Sequence, residues 1–240
     1  MNVYVNSITG IDDALVSMLM SKRSWMREKE SEIRELCSNV LFRNGKINPD
    51  AKKDDLDVYS RHVNALVKWG CKHITLLRFI DISATVEGLH RGGQDDWDSH
   101  AMRFNNRIVR SSTRLSKFGY EMSDFYKGKI IPTDIALAEI GIETPNRVEH
   151  DGKVYVKTVN GYIREDMKDN QDVKRGLYFL AIPSNFVFKI NLTEWAHVYK
   201  ERNKDSGANP EVKECCEEIA SQIEQFQPLF NRELFGNIRN

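Results

Sequence analysis

The feature that most narrows the fold is a change of hydrophobic period between residues 54 and 86. Leu56, Tyr59, Val63, Leu66 and Val67 recur at helical spacing, Asp54 or Asp55 stands where a side-chain oxygen caps a first turn, and Gly70 occupies the C-terminal end. HITLLRFIDISATV follows, rich in β-branched residues, and reads as a strand beginning at His73. The polar but helix-compatible residues after it, up to Phe104, predict that the strand feeds another helix. That succession excludes both an all-helical bundle and an all-β sandwich.

The same alternation continues on either side. Residues 2–6 predict a short edge strand; residues 10–24 and 27–42 carry apolar residues at helical spacing, and the segment from Arg43 to Asp55 reads as a loop. Residues 130–144 predict a turn and a short helix. Within 147–165, Asp151-Gly152 separates two alternating runs, which signals a hairpin standing out as an inserted lobe. GLYFLAIPSNFVFKIN reads as a strand interrupted by Pro183, after which Asn191 opens a helix bearing Leu192, Trp195, Val198 and Tyr199. A final helix spans 209–227. No repeat divides the 240 residues, so one mixed α/β (α+β) domain over 1–240 is expected.

Composition removes several function classes. No apolar run approaches the ~18 residues of a membrane span, and MNVYVNSITG lacks a signal-peptide pattern, so a cytoplasmic protein without a membrane partner is expected. Lysine plus arginine equals aspartate plus glutamate at 35 each, which leaves no global field for a nucleic acid polymer. The six histidines show no metal-ligand spacing. Cys215 and Cys216 sit among acids that would raise a thiol pKa, so covalent catalysis has no evident nucleophile.

A local anion site is nevertheless indicated. Arg103, Arg107, Arg110 and Arg114 follow at spacings of four, three and four, which on a helix would share one face. Arginine forks match phosphate, and Ser111, Ser112 and Thr113 add hydroxyl donors. The competing reading is a solvated basic face paired with Asp95, Asp96 and Asp98. GLHRGGQDD matches no phosphate-cradling motif; Gly92 and Gly93 let a ligand or neighbouring backbone approach, and Gln94 beside them can read a base edge.

The run Ser112-Thr113-Arg114-Leu115-Ser116-Lys117, followed by Tyr120-Glu121, resembles the Ser-x-Arg-Tyr-Ser-Lys segment of the flavin-dependent thymidylate synthases. Asn191 opening a helix, Arg202 eleven positions later, and then Ala208, Asn209, Glu211 and Val212 are similar to that family's C-terminal pattern. His73 and Thr75 after Gly70 resemble its Gly-His-x-Thr segment. The family's Arg-His-Arg triplet is Met102-Arg103-Phe104 here, and its Asn-Glu before the serine is Val109-Arg110.

The resemblance implies a central, largely antiparallel sheet flanked by helices, as in the thymidylate synthase-complementing protein fold. It implies a homotetramer with interfacial sites and a flavoprotein methyltransferase of dTMP biosynthesis, using FAD, NADPH and methylenetetrahydrofolate to methylate dUMP. Carried over by position, Ser112 and Arg114 would hold the nucleotide phosphate, and Arg202 would contact the pyrimidine and stabilise negative charge as the catalytic arginine. Arg175 resembles a further substrate arginine, while His73, Thr75, Arg103, Asn191 and His197 would face FAD. The altered signature leaves two alternatives: flavin-dependent modification of another pyrimidine nucleotide, such as UMP or a cytosine nucleotide, or a nucleotide-binding protein that has lost FAD.

Overall fold

The computed structural model describes residues 1–21, 27–99, 107–112, 121–158 and 160–238. Strand β1 (Asn2–Thr9) is followed by helices α1 (Ile11–Met20), α2 (Arg27–Val40) and α3 (Lys53–Gly70). Strand β2 (Asp81–His90) runs into α4 (Arg91–Ser99), with β3 (Arg107–Arg110) beyond it. Helix α5 (Thr133–Glu139) precedes the strands β4 (Arg147–His150), β5 (Lys153–Thr158) and β6 (Gly161–Arg164). After α6 (Gln171–Lys174) come β7 (Pro183–Asn191), α7 (Leu192–Arg202), α8 (Pro210–Phe226) and α9 (Arg232–Asn237).

The main sheet has the order β1-β2-β7-β3 with every pairing antiparallel, so the expected mixed architecture is present and β1 lies at an edge as the sequence predicts. Strands β4-β5-β6 form a separate antiparallel sheet, and Asp151 and Gly152 at the first turn have the positive φ values of 52° and 67° that the Asp-Gly pair predicts.

One face of the main sheet, bearing Val3, Val5, Ile82, Ala84, Val86, Phe186 and Phe188, is buried beneath α4, α7 and α8. Trp97 of α4 and Trp195 of α7 meet over it, their rings 6.2 Å apart, with Phe188 5.5 Å from Trp97. The opposite face leaves Tyr4, Val109 and Val187 exposed. A bulge between Val86 and Leu89 shifts the inward register of β2, and Gly88 supplies the φ of 80° that a side chain would resist. Leu89 therefore takes the next core position, and His90 is buried where the strand enters α4.

Two local readings need correction, Gly70 ends its helix as expected but for another reason, and one helix is new. Residues Ile74–Phe79 form a 3-10 helix, and β2 starts only at Asp81. Leu76 and Leu77 are buried there where the segment packs on α1 and α3, so tertiary packing overrides the β-branched composition. Lys52, with no side-chain bond, stands at the N-cap of α3; Asp54 and Asp55 lie inside the first turn, at the helix's positive end. Gly70 is the last helical residue and lies under Leu77, whose Cδ2 would be 2.6 Å from an added Cβ, so contact rather than backbone conformation selects glycine. Helix α9, unanticipated, is capped by Asn231 and buries Phe235 against Trp195 and Tyr199.

Gly70→Ala should lower stability by about 1–3 kcal/mol through overpacking against Leu77. Urea denaturation followed by circular dichroism reads this; an unchanged or raised midpoint would show that the contact is soft.

Candidate active site

The site is organised by α4, whose start is fixed by hydrogen bonds and packing rather than by a ligand. Arg91 and Gly92 donate their backbone N–H groups to the carbonyls of Ile182 and Leu180, each at 2.9 Å, so these donors of the first turn are already used. Gly93 lies against the His90 ring, whose Cε1 would be 2.5 Å from an added Cβ. The close neighbour of Gly93 is thus an imidazole, whereas the sequence suggested a ligand or backbone. His90 Nδ1 makes a short contact with Glu211 Oε2, and the His90 backbone N–H donates to the same oxygen at 3.2 Å. Both residues are buried, and the ring meets Tyr126 edge-on at 4.9 Å. This pair pins the junction of β2 and α4 to the start of α8.

The second half of α4 carries the acids. Arg110 Nη1 donates to Asp95 Oδ1 at 2.8 Å, and its Nη2 contacts Asp98. Arg202, at the end of α7 and only 6% exposed, donates from Nη2 to Asp96 Oδ1 at 2.8 Å and to the Asp96 carbonyl at 3.1 Å. Its Nε is buried with no hydrogen-bond partner among the described residues. The arginine row is therefore not one helical face. Arg107 and Arg110 lie on strand β3, where a spacing of three points them to opposite sides, and Arg107 instead reaches Asp81 at 2.8 Å. For Arg110, pairing with Asp95 and Asp98 realises the competing acidic-partner reading.

Gln94 is fully buried: Ser184 Oγ donates to its Oε1 at 2.6 Å, and its Nε2 has no partner among the described residues. Ser111 joins β7 through its backbone N–H to the Asn185 carbonyl at 2.8 Å, which leaves the exposed Ser112 beside this seam. Gln94 lies on α4 and Arg202 is bonded to it through Asp96, while Ser112 follows Ser111, whose Oγ is 3.4 Å from the Ser184 Oγ that reaches Gln94.

The residues proposed for the cofactor stand elsewhere. Asn191 pairs with Asp81 at the start of β2, and its Oδ1 accepts from Thr193 N at 3.1 Å and Glu194 N at 3.0 Å, the capping role its sequence position predicts. His73 and Thr75 lie exposed by the neighbouring 3-10 segment, not on a strand, with the His73 ring 4.8 Å from that of Trp69. His197 is half-buried midway along α7. The ten residues of β2 separate Asp81, beside this group, from His90 by roughly 30 Å at the rise of a strand, whereas α7 leads from Asn191 past His197 to Arg202 against Asp96 within roughly 17 Å. Arg103 and Arg114 lie outside the described residues; Arg175 opens the 3-10 turn Arg175–Leu177, and its side chain is also outside them.

As a donor set for a dinucleotide, the His73 end fits in part. His73, Thr75 and Arg78 are exposed and offer an imidazole, a hydroxyl and a guanidinium, whereas the Asn191 carbonyl oxygen is committed to its helix. Thiol chemistry is disfavoured: burial, and then neighbouring Glu211 and Glu218, push Cys215 well above its usual range, and burial pushes Cys37 up to about 12. Burial is the larger cause at Cys215, ahead of the acids that the sequence suggested.

The family described as thymidylate synthase complementing protein matches residues 16–229. The fold is similar to that of the flavin-dependent thymidylate synthase ThyX from Helicobacter pylori complexed with FAD and dUMP. One structure of it has 13% identity, a TM-score of 0.52 and full coverage of both chains; another has 12% identity and a TM-score of 0.54 over 98% of this chain and 100% of that one. A UMP/dUMP methylase, PolB from Streptomyces cacaoi, bound with 5-Br dUMP, has 12% identity and a TM-score of 0.56, covering 100% of this chain and 97% of that one. No curated protein matches the chain.

Glu211→Ala should cost about 1–3 kcal/mol by leaving the buried His90 donors unpaired. Chemical denaturation reads this, and a midpoint equal to that of the parent would remove the pair from its pinning role.

Proposed function

Because the chain belongs to the thymidylate synthase complementing protein family, we propose that it is a flavin-dependent thymidylate synthase-like enzyme that methylates dUMP to dTMP. The observation that supports this reading is the buried Arg202 held by Asp96 on α4, the helix that also carries the buried Gln94. Ser112 and Arg114 hold the phosphate, Gln94 and Arg175 add substrate contacts, and the Arg202 guanidinium contacts the pyrimidine. The Arg202 guanidinium stabilises negative charge building on the ring without moving a proton. The Asp96 carboxylate fixes the guanidinium plane, which limits the reorganisation needed when substrate arrives.

His73, Thr75, Arg103, Asn191 and His197 face FAD in this reading. FAD supplies the hydride chemistry when bound, with NADPH and methylenetetrahydrofolate as cosubstrates. The sites are completed between subunits of a homotetramer in this reading, as the family resemblance implies. The exposed Tyr4, Val109 and Val187 on the open sheet face give such an assembly apolar surface to cover. The whole chain, 1–240, acts as one unit of that assembly, in the cytoplasm; among the described residues no helix is long and apolar enough to cross a membrane.

A second reading keeps the flavin and changes the nucleotide, and the fold shared with a UMP/dUMP methylase favours weighing it. Purified protein should acquire the visible flavin absorption band on addition of FAD, and hydrogen release from carbon 5 of labelled dUMP against labelled UMP separates the two nucleotides. A protein that stays colourless would instead be a nucleotide-binding protein without flavin. Arg114→Ala should weaken dUMP binding by about 1.5–3 kcal/mol, the worth of a charged phosphate hydrogen bond. Equal affinity, measured by calorimetry, would take the phosphate away from Arg114. Arg202→Lys should lower turnover more than nucleotide affinity, since a lysine keeps the charge and loses the fork.

A further inference from the structure

The stretch from Val58 to Ile80, which runs down α3 and through the 3-10 helix Ile74–Phe79, carries Arg61, Lys68, Lys72 and Arg78 and contains no aspartate or glutamate. Lys68, Lys72 and Arg78 are exposed, and none of the three has an ion-pair partner among the described residues. Acids on the neighbouring elements are already engaged. Asp81, next along the chain, is shared by Arg107 and Lys189, and on α1, which packs against the 3-10 helix, Asp12 and Asp13 are committed to Arg34. Lys68 stands in the last turn of α3, where a cation also complements the carbonyl end of the helix. Lys72 and Arg78 lie beyond that helix, and its dipole does not account for them.

Two large rings share this strip: Trp69 is 37% exposed and Phe79 46%. The N–H groups of Lys72 and His73 both donate to the Trp69 carbonyl at 3.0 Å, which turns the chain back at the end of α3 and leaves the His73 ring 4.8 Å from the indole. Thr75 and Arg78, three residues apart where the helix has three residues per turn, share its outer side. One lone exposed ring is ordinary on a protein surface, but rings set among cations that lack countercharges match a ligand that is both flat and anionic. The 3-10 helix is about 12 Å long, which gives room for one ring system and a short tail rather than the ~4–16 nucleotides of a single-strand site.

We propose that the strip Lys68–Phe79 binds an aromatic ring carrying a phosphate or carboxylate tail, with the ring on Trp69 and the tail among Lys68, Lys72 and Arg78. The proposal rests on the cofactor-facing reading of His73 and Thr75 only for which ring ligand comes. FAD, NADPH and tetrahydrofolate all carry this chemistry.

The test is calorimetric titration of the full chain with FAD, NADPH and tetrahydrofolate in turn, at low and at high salt. At least one should bind, and its affinity should fall about fivefold or more in Trp69→Ala. Trp69→Phe, which keeps a flat face, should bind as the parent does. The triple variant Lys68→Gln, Lys72→Gln, Arg78→Gln should lose about tenfold or more at low salt and flatten the salt dependence. Affinity for dUMP should not change in any of them. The proposal is overturned if none of the three ligands binds the parent, if Trp69→Ala or the triple variant binds as the parent does, or if Trp69→Phe loses as much as Trp69→Ala. Tighter binding of single-stranded oligothymidylate than of all three, lost in the same variants, would make the strip a nucleic-acid surface and overturn it as well. FAD binding that survives every variant would strike the strip and leave the flavin reading standing. Failure of FAD alone, with NADPH or tetrahydrofolate bound and sensitive to the variants, would strike the flavin reading and leave the strip.

Discussion

The antiparallel pairing of β2 with β7 is the constraint from which the rest of the molecule takes its arrangement. It aligns Asp81 with Asn191 at one end and His90 with Pro183 at the other, and both strands leave the sheet directly into helices. At the Asn191 end, α7 begins with a side-chain cap and runs back along the core until Arg202 meets Asp96. At the His90 end, the bulge at Gly88 re-aims the strand so that α4 enters over the buried His90 ring. The two helices that carry the polar machinery are therefore tethered to opposite ends of the same pair of strands. Their meeting point is set by the length of α7.

This arrangement separates rigid support from chemistry. Trp97, Trp195, Phe186 and Phe188 fill the space between the helices and the sheet, and losing any one of them would open a large void in a close-packed interior. Polar residues that face α4 are then held by a frame that cannot easily shift. The buried His90–Glu211 contact adds a tie between segments 121 residues apart, joining the start of α4 to that of α8. Such a polar tie contributes more to positioning than to stability, since much of its attraction offsets the cost of removing both groups from water.

What the sequence made legible followed physical rules that act locally. The period of Leu56, Tyr59, Val63 and Leu66, the Asp151-Gly152 turn and the Asn191 cap each encode their conformation within a few residues, and all three appear in the structure. Residues 74–79 misled because β-branched content is a weak preference, and the burial of Leu76 and Leu77 under α1 and α3 outweighs it. The arginine spacing misled for a related reason: intervals of three and four share a face only on a helix, and pairing with β7 makes Arg107–Arg110 a strand. His90 and Glu211 carried no local signal at all, because neither position says what lies 121 residues away. Of the candidate site, Ser112 and Arg202 are singled out through a resemblance of short motifs, and Gln94 through the glycines beside it. Their engagement with Asp95, Asp96, Asp98 and Ser184 depended on tertiary placement.

The charge balance at α4 limits how an anion enters. Asp95, Asp96 and Asp98 stand against Arg91, Arg110 and Arg202, three carboxylates to three guanidiniums, so the cluster is neutral before any ligand arrives. A phosphate approaching a neutral cluster gains little from it, because each arginine it attracts is already satisfied by an acid that the phosphate would repel. Favourable binding of an anion must therefore draw on cations beyond the cluster. The paired acids hold the guanidiniums in place, Asp96 fixing Arg202 in one orientation through its carboxylate and its carbonyl. Within the arginine row, Arg107 and Arg110 are both committed to carboxylates of the chain, Arg107 to Asp81 and Arg110 to Asp95 and Asp98, and Arg110 thereby fixes α4 to the sheet.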